Sequence, residues 1–148
     1  MLDDFTITDY NDNLDNIIDI LKTIKENYPD YDSWIENTVS VGIINGTRKI
    51  RVLYNEKTIA GLTILKNTPE EKKLCSLFIT PEYRGESWMY SLFKDATDIL
   101  ETNSPAITIP SSIIKRYNGL IFSNKWKVTS KIDSRYSKNI IEYGFNET

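Results

Sequence analysis

The apolar positions of the chain repeat with two periods, that of a helix and that of a strand, and the two alternate along its length. A short strand is predicted over 4–9, followed by a helix from Leu14 that Pro29 ends. A second helix begins at Asp32 or Ser33 and stops at Asn45. Two strands, 50–54 and 58–65, then flank a hairpin turn at 55–57.

The central stretch runs from Leu74 to Leu100 and combines a buried strand, a tight turn and an amphipathic helix. The strand should stop at Thr80, because Pro81 cannot continue a central ladder. From Glu86 the apolar residues follow the period of a helix. Its inner face is formed by Trp88, Leu92, Ala96 and Ile99, with Met89, Phe93 and Leu100 beside them.

The last third predicts a short strand over 106–109, a helix capped by Ser111 and Ser112, a half-exposed strand over 126–133 and a final strand over 140–145. The strands before the central helix are joined by short connections, which is typical of an antiparallel meander. The central helix is a crossover that lets the strands at 74–80 and 106–109 pair in parallel.

Composition narrows the class of protein. A chain of 148 residues is the size of one domain, and no linker or repeat divides it, so 1–148 is expected to be a single domain. The N-terminus resembles no secretory signal, and no apolar run is long enough to span a membrane. The single cysteine, Cys75, has no internal partner for a disulfide, which fits a reducing cytoplasm. We therefore expect a cytoplasmic monomer or homodimer without a membrane partner.

Charge is divided unevenly along the chain. The net charge is −3, but residues 1–45 hold ten acidic residues against two lysines, and the rest of the chain is positive. The acidic part could attract a cationic substrate such as an amine, or it could be a solvated face that aids solubility. The overall acidity argues against nucleic acid. The chain has no histidine and no cluster of metal ligands, so no metal is expected.

The turn after the central strand has the features of an anion site. Gly85 allows a sharp turn or a close approach by a ligand, and the first amides of the following helix have no acceptor within the helix. These amides and the helix dipole favour phosphate, with Arg84 adding positive charge at the rim. The same residues could also be an ordinary connection with a surface arginine.

The segment Ile79-Thr-Pro-Glu-Tyr-Arg-Gly-Glu-Ser-Trp-Met89 resembles the acetyl-CoA signature of the GNAT N-acetyltransferase superfamily. The match is close through Gly85, whereas Ser87 and Met89 replace two glycine positions of that signature. The order of elements also resembles a GNAT domain over the whole chain. The resemblance implies an α+β, three-layer fold. Its seven-stranded sheet would be mixed and mostly antiparallel, with a splayed central parallel pair and about four helices.

The resemblance also implies a function. It predicts transfer of an acetyl group from acetyl-CoA to a primary amine, on a small molecule or a protein, by direct attack in a ternary complex. The alternative is a catalytically impaired module that binds CoA or a protein partner in a regulatory role. The residues implied in binding the cofactor are Leu77, Phe78, Ile79, Arg84, Gly85, Glu86, Ser87, Trp88 and Met89.

Catalytic residues are implied less directly. The usual acid of the family is a tyrosine five residues before the aromatic that opens the next strand, but counting back from Trp126 gives Ile121, which cannot donate a proton. Tyr117 lies about one helical turn earlier and is the candidate acid. Ser111 is another possible donor, and Glu71 is a candidate base.

Overall fold

The computed structural model describes residues 5–21, 28–85, 87–136 and 138–147. Within these ranges the chain forms seven strands. They are β1 (Phe5–Asp9), β2 (Arg48–Asn55), β3 (Thr58–Asn67), β4 (Lys72–Ile79), β5 (Ile107–Pro110), β6 (Val128–Asp133) and β7 (Ile141–Phe145).

Four helices accompany the strands in the described ranges. Helix α1 spans Asp15–Ile18, and the rest of the helix predicted from Leu14 lies partly outside the described residues. Helix α2 is built of three consecutive segments, Tyr31–Trp34, Ile35–Val39 in π geometry and Ser40–Asn45. Helix α3 spans Trp88–Leu100, and α4 spans Asn118–Ser123. Short 3₁₀ turns, Pro81–Tyr83 and Ile114–Tyr117, precede α3 and α4.

The strands form two sheets, and the α+β fold class predicted from the sequence is confirmed. One sheet has the order β1-β2-β3-β4 and the other β5-β7-β6, with every pair antiparallel. The sequence predicted one seven-stranded sheet with a parallel central pair. Instead, β4 and the chain just before β5 share a single parallel bridge, Lys73 with Ala106. The two hydrogen bonds of this bridge measure 2.9 Å, from the Leu74 amide to Ala106, and 2.8 Å, from the Ala106 amide to Lys72.

A β-bulge explains why β4 separates from β5 directly after the single bridge. Ser76 pairs with Ile64 and Leu74 pairs with Leu65, so Cys75 is the extra residue on β4. A bulge bends its strand and increases the local twist. The bulge follows directly after the bridge, and the two sheets separate from this point onwards.

Apolar residues cover both faces of the sheets. One core lies under α3 and α4 and includes Leu77, Ile79 and Leu92. The other core lies under α1 and α2 and includes Ile17, Ile35 and Phe78. Because successive residues of a strand point to opposite faces, the end of β4 contributes side chains to both cores.

An ion-pair network holds α3 on the first sheet. The guanidinium of Arg51, on β2, makes two hydrogen bonds to Asp95 of α3, at 3.0 and 2.8 Å, and one to Asp9 of β1, at 2.9 Å. The Arg51 side chain is only 18% exposed, so this network lies largely out of water. The network helps to fix the position of α3 relative to the first sheet, and therefore the position of the turn before α3.

The prediction of a half-buried strand over 126–133 is wrong in part. Trp126 is buried, but Val128 and Ile132 are 55% and 39% exposed. The reason is that β6 lies at the edge of the second sheet, where it has a neighbouring strand on one side only among the described residues. In the described part of the chain, no helix is both long enough and apolar enough to cross a membrane.

Candidate active site

A cleft opens where the two sheets separate. Its volume is about 490 Å³, and its walls are β4, β5, the turn after β4, the first turn of α3 and the 3₁₀ turn before α4. Tyr28, which precedes α2, also lines the cleft. Of the predicted cofactor residues, Leu77, Phe78, Ile79, Arg84, Gly85 and Met89 line this cleft.

The cleft passes from one face of the sheets to the other. Leu77 and Ile79 belong to the core under α3 and α4, whereas Phe78 and the partly buried Cys75 belong to the core under α1 and α2. All four side chains line the same cleft. Two molecules could therefore enter from opposite faces and meet beside β4.

The turn at Gly85 has the geometry of an anion site. The backbone of Gly85 has φ +85°, and a Cβ built there would meet no heavy atom within 4 Å. Helix α3 begins two residues after the undescribed Glu86, and its first hydrogen bond runs from the Ser91 amide to the Ser87 carbonyl at 3.2 Å. The amides of Met89 and Tyr90 precede that bond, so they have no acceptor within the helix. Open backbone and helix amides of this kind bind phosphate groups.

Arg84 lines the cleft and is partly buried. Its Nε donates a hydrogen bond of 3.0 Å to the Ile79 carbonyl, and its guanidinium carbon lies 5.6 Å from the centre of the Phe78 ring. Its Nη2 is buried and has no hydrogen-bond partner among the described residues. Burial, and then the neighbouring charge of Arg116, lower the pKa of Arg84. Two guanidinium groups with an unpaired buried donor suit a ligand with several negative charges.

Aromatic packing holds the turn against β1. The Trp88 ring stacks on Phe5 with 3.9 Å between ring centres, and Tyr83 meets Phe5 edge-on at 5.9 Å. The Tyr83 hydroxyl accepts a hydrogen bond of 3.0 Å from the Asn55 side chain. Met89 packs against the core under α3 and forms part of the cleft wall, and the cleft stays open beside it.

Tyr117 is the candidate acid that the structure brings to the cleft. It ends the 3₁₀ turn before α4, is 6% exposed and donates a hydrogen bond of 3.0 Å to the Leu77 carbonyl. Burial raises the pKa of Tyr117 to about 12, although Arg116 and Arg84 act in the opposite direction. The phenol therefore keeps its proton at neutral pH, as a proton donor must.

The other two catalytic candidates lie elsewhere. The Ser111 hydroxyl accepts a hydrogen bond of 3.0 Å from the Ile141 amide, which ties the end of β5 to β7. Glu71 lies in the turn before β4 and pairs with Lys66 at 2.9 Å. The hydrogen bond from Lys66 lowers the pKa of Glu71. Neither side chain lines the cleft, and Ile121 packs at the margin of the core under α4.

A group of hydrogen-bonded polar residues around Tyr28 was not predicted from the sequence. The Tyr28 hydroxyl donates a hydrogen bond to Glu142 of β7, and Tyr31 and Ser76 form a buried hydrogen bond of 2.8 Å. One signal was available for Glu142, since it is a charged residue in the apolar run that predicts the last strand. Its partner is 114 residues away, which spacing along the chain does not reveal.

Metal ligands do not cluster in the described ranges. No three residues among His, Cys, Asp and Glu approach closely enough there to hold a metal ion.

Comparison with known proteins identifies the fold. No protein-family model matches the chain, and no curated protein sequence matches it either. A GNAT-family acetyltransferase from Bacillus cereus superposes with a TM-score of 0.68 at 17% identity, over 95% of this chain and 94% of the other. The Bacillus subtilis acetyltransferase in complex with CoA superposes with a TM-score of 0.70 at 12% identity, over 97% of this chain and 99% of the other. The ribosomal-protein-S18-alanine N-acetyltransferase of Escherichia coli superposes with a TM-score of 0.67 at 12% identity, over 95% of this chain and 91% of the other. The fold of this chain is therefore that of the GNAT acetyltransferases.

Proposed function

We propose that this protein is an N-acetyltransferase that moves an acetyl group from acetyl-CoA to a primary amine. The observation that carries the proposal is the cleft between β4 and β5, with the open backbone of Gly85 and the unpaired Nη2 of Arg84 at one end. The B. subtilis structure, which has the same fold, contains CoA.

The residues of the cleft fit the parts of acetyl-CoA. Gly85, Ser87 and the first amides of α3 would bind the diphosphate, and Arg84 and Arg116 would add positive charge. The backbone from Leu77 to Ile79 would pair with the extended arm, because no strand of the described residues pairs with this edge of β4 beyond the bridge. Trp88 supports the turn from behind through its stacking on Phe5.

The protein would contribute position and a proton. Holding the thioester and the amine side by side removes the cost of a bimolecular encounter. The amine nitrogen forms a bond to the acetyl carbon, and the carbon–sulfur bond breaks. The Tyr117 hydroxyl would give its proton to the departing sulfur, since it is buried in the cleft wall beside Leu77. The attacking nitrogen must lose one proton to become an amide, and that proton would return to the Tyr117 phenolate. Backbone amides of β4 could stabilise the charge that develops on the carbonyl oxygen.

Calorimetric titration with CoA tests the binding part of the proposal. Wild type should bind, and Gly85→Asp should not, because a carboxylate would then face the proposed phosphate site. Gly46→Asp is a matched control, since Gly46 has φ +82° and equally open space but lies after α2, outside the cleft. Both variants carry the same backbone strain, on the order of 1–2 kcal/mol. Equal binding by wild type and both variants would contradict the assigned phosphate site.

A thiol-release assay with acetyl-CoA tests the reaction. The panel should include n-butylamine, spermidine and a peptide with a free N-terminal alanine. Release of CoA that depends on one of these amines supports the enzyme. Binding of CoA without release from any amine would favour the alternative, a binding module with an impaired catalytic site, which the replacements Ser87 and Met89 favour on sequence grounds.

A further inference from the structure

A buried carboxylate has no part in the chemistry assigned so far. Glu142, on β7, is only 3% exposed. It accepts a hydrogen bond from the Tyr28 hydroxyl, and the Thr108 side chain also bonds to it. A buried carboxylate is costly for a fold unless hydrogen bonds compensate it, so its presence needs a reason.

Tyr28 connects this carboxylate with the cleft. Both Tyr28 and Thr108 line the cleft, whereas Glu142 lies behind them. Tyr28 precedes α2 and packs at the margin of the core under α1 and α2. Its ring is held by Tyr136, with 4.9 Å between ring centres, and by Tyr31, with 6.2 Å. These contacts and the hydrogen bond to Glu142 therefore fix the orientation of the hydroxyl in the cleft wall.

The charges around Glu142 come from several elements. Arg135, in the β6–β7 connection, and Lys73, on β4, both favour its charged form, and so do the hydrogen bonds from Tyr28 and Thr108. Burial outweighs them and raises the pKa of Glu142. Tyr136 and Tyr117 are the other titratable groups near Tyr28, whose own pKa is raised, first by burial and then by Glu142. A carboxylate shifted in this direction accepts a proton more readily at neutral pH than an ordinary one.

We propose that Tyr28 and Glu142 together take the proton from the acceptor ammonium, with Tyr28 touching the amine and Glu142 acting through it. This inference rests on the proposed acetyltransferase function. An N–H bond of the ammonium breaks as an O–H bond forms on Tyr28. At the same time the original phenol proton moves to the carboxylate of Glu142. The neutral amine is left with the lone pair that attacks the acetyl carbon, and the proton on Glu142 returns to solvent after turnover.

The test uses the full chain with acetyl-CoA and whichever amine of the panel, n-butylamine, spermidine or the alanine peptide, wild type consumes. Tyr28→Phe and Glu142→Gln should lower kcat about 100-fold at neutral pH. Acetyl-CoA affinity should stay within about twofold of wild type, since neither residue belongs to the proposed phosphate site. The rate of Glu142→Gln should recover at high pH, where the amine loses its proton in solution, and Glu142→Asp should restore part of the neutral rate. Glu147→Gln is the matched control, because Glu147 lies two residues after β7, is partly buried, accepts hydrogen bonds from Thr129 and Ser130 and does not line the cleft, and it should behave as wild type.

The outcomes separate this inference from the function on which it rests. If wild type neither binds CoA nor consumes an amine, the proposed function fails and the inference fails with it. If wild type is active and Tyr28→Phe or Glu142→Gln keeps the same rate and pH profile, only the inference is overturned. A lower rate with an unchanged pH profile would also overturn it, because that result indicates a structural role. Thermal unfolding of each variant identifies any that fails to fold, and Glu142→Asp then provides the decisive profile.

Discussion

Tyr117→Phe is the most informative single change, because it removes one hydroxyl from the cleft and leaves the ring in place. The lost hydrogen bond measures 3.0 Å and ends on the Leu77 carbonyl, in surroundings where Tyr117 is 6% exposed. Leaving a buried carbonyl without its donor costs about 1–3 kcal/mol. For a chain of 148 residues each kcal/mol lowers Tm by about 2–4 °C. The folded state should therefore survive with a Tm lowered by about 2–12 °C.

The effect on function should be much larger than the effect on stability. Loss of a proton donor typically lowers the rate by a factor of about 100 to 10,000, so kcat should fall by at least about 100-fold. CoA affinity should not fall, because the Leu77 carbonyl that Tyr117 now occupies becomes available to the ligand. The predicted signature is reduced kcat with equal or tighter binding.

Tyr10→Phe provides the control for this measurement. Tyr10 is 7% exposed, and its hydroxyl donates a hydrogen bond of 2.7 Å to the Asn13 carbonyl, outside the cleft. The change therefore deletes the same kind of bond at similar burial. Thermal unfolding, CoA titration and thiol release are compared for the two variants. If both lose activity in proportion to their loss of Tm, or if Tyr117→Phe keeps its rate, Tyr117 is not the proton donor.

Other parts of the structure lead to measurable outcomes of the same kind. Gly61→Ala should weaken CoA binding as well as stability, because its Cβ would lie 2.6 Å from the Phe78 carbonyl oxygen in the cleft wall. Gly46→Ala should reduce stability without weakening CoA binding. Equal CoA affinities for Gly61→Ala and Gly46→Ala would contradict the expected effect of Gly61→Ala on binding. Urea unfolding should show wild type losing stability relative to Glu142→Gln as the pH rises above 4.5, the ordinary pKa of glutamate. Above this pH the Glu142 carboxyl of the unfolded chain has lost its proton, whereas the carboxyl of the folded chain, whose pKa is raised, still holds it. If the free energies of unfolding of wild type and Glu142→Gln change in parallel with pH, the reasoning is refuted. CoA affinity should fall between about 0.05 and 0.5 M salt, and less steeply in Arg116→Gln, if Arg116 faces the phosphates.

Local physical rules predicted most of the elements correctly. Strand β4 ends at Ile79, one residue before the predicted Thr80, because Pro81 has no amide hydrogen with which to continue the ladder. The Asn55–Lys57 turn and the apolar face of α3 also lie where spacing along the chain predicts them. These features depend on residues within one or two turns of each other, so the sequence alone contains them.

Features that depend on distant residues could not be predicted in the same way. The bulge at Cys75 is visible only in the pairing of β4 with β3, and it separates the sheets where one continuous sheet was expected. The exposure of Val128 follows from the edge position of β6, which its alternating pattern does not reveal. The proposed phosphate site could be suggested from the sequence because its residues lie in one short segment. The Tyr28–Glu142 pair joins residues 114 positions apart, and no spacing rule connects them.

The position of the single parallel bridge explains why the two halves of the site share one cleft. If β4 and β5 paired along their full length, the carbonyls of Leu77 and Ile79 would be consumed by the ladder. Here they accept hydrogen bonds from the side chains of Tyr117 and Arg84 instead of from a neighbouring strand. The bulge therefore leaves strand edge available to a ligand, and both faces of the sheets gain access to it. A substitution that extends the pairing of β4 with β5 beyond Lys73 should raise the free energy of unfolding and abolish CoA binding. Neither a defect in the core nor a change on the surface would raise stability and remove binding together.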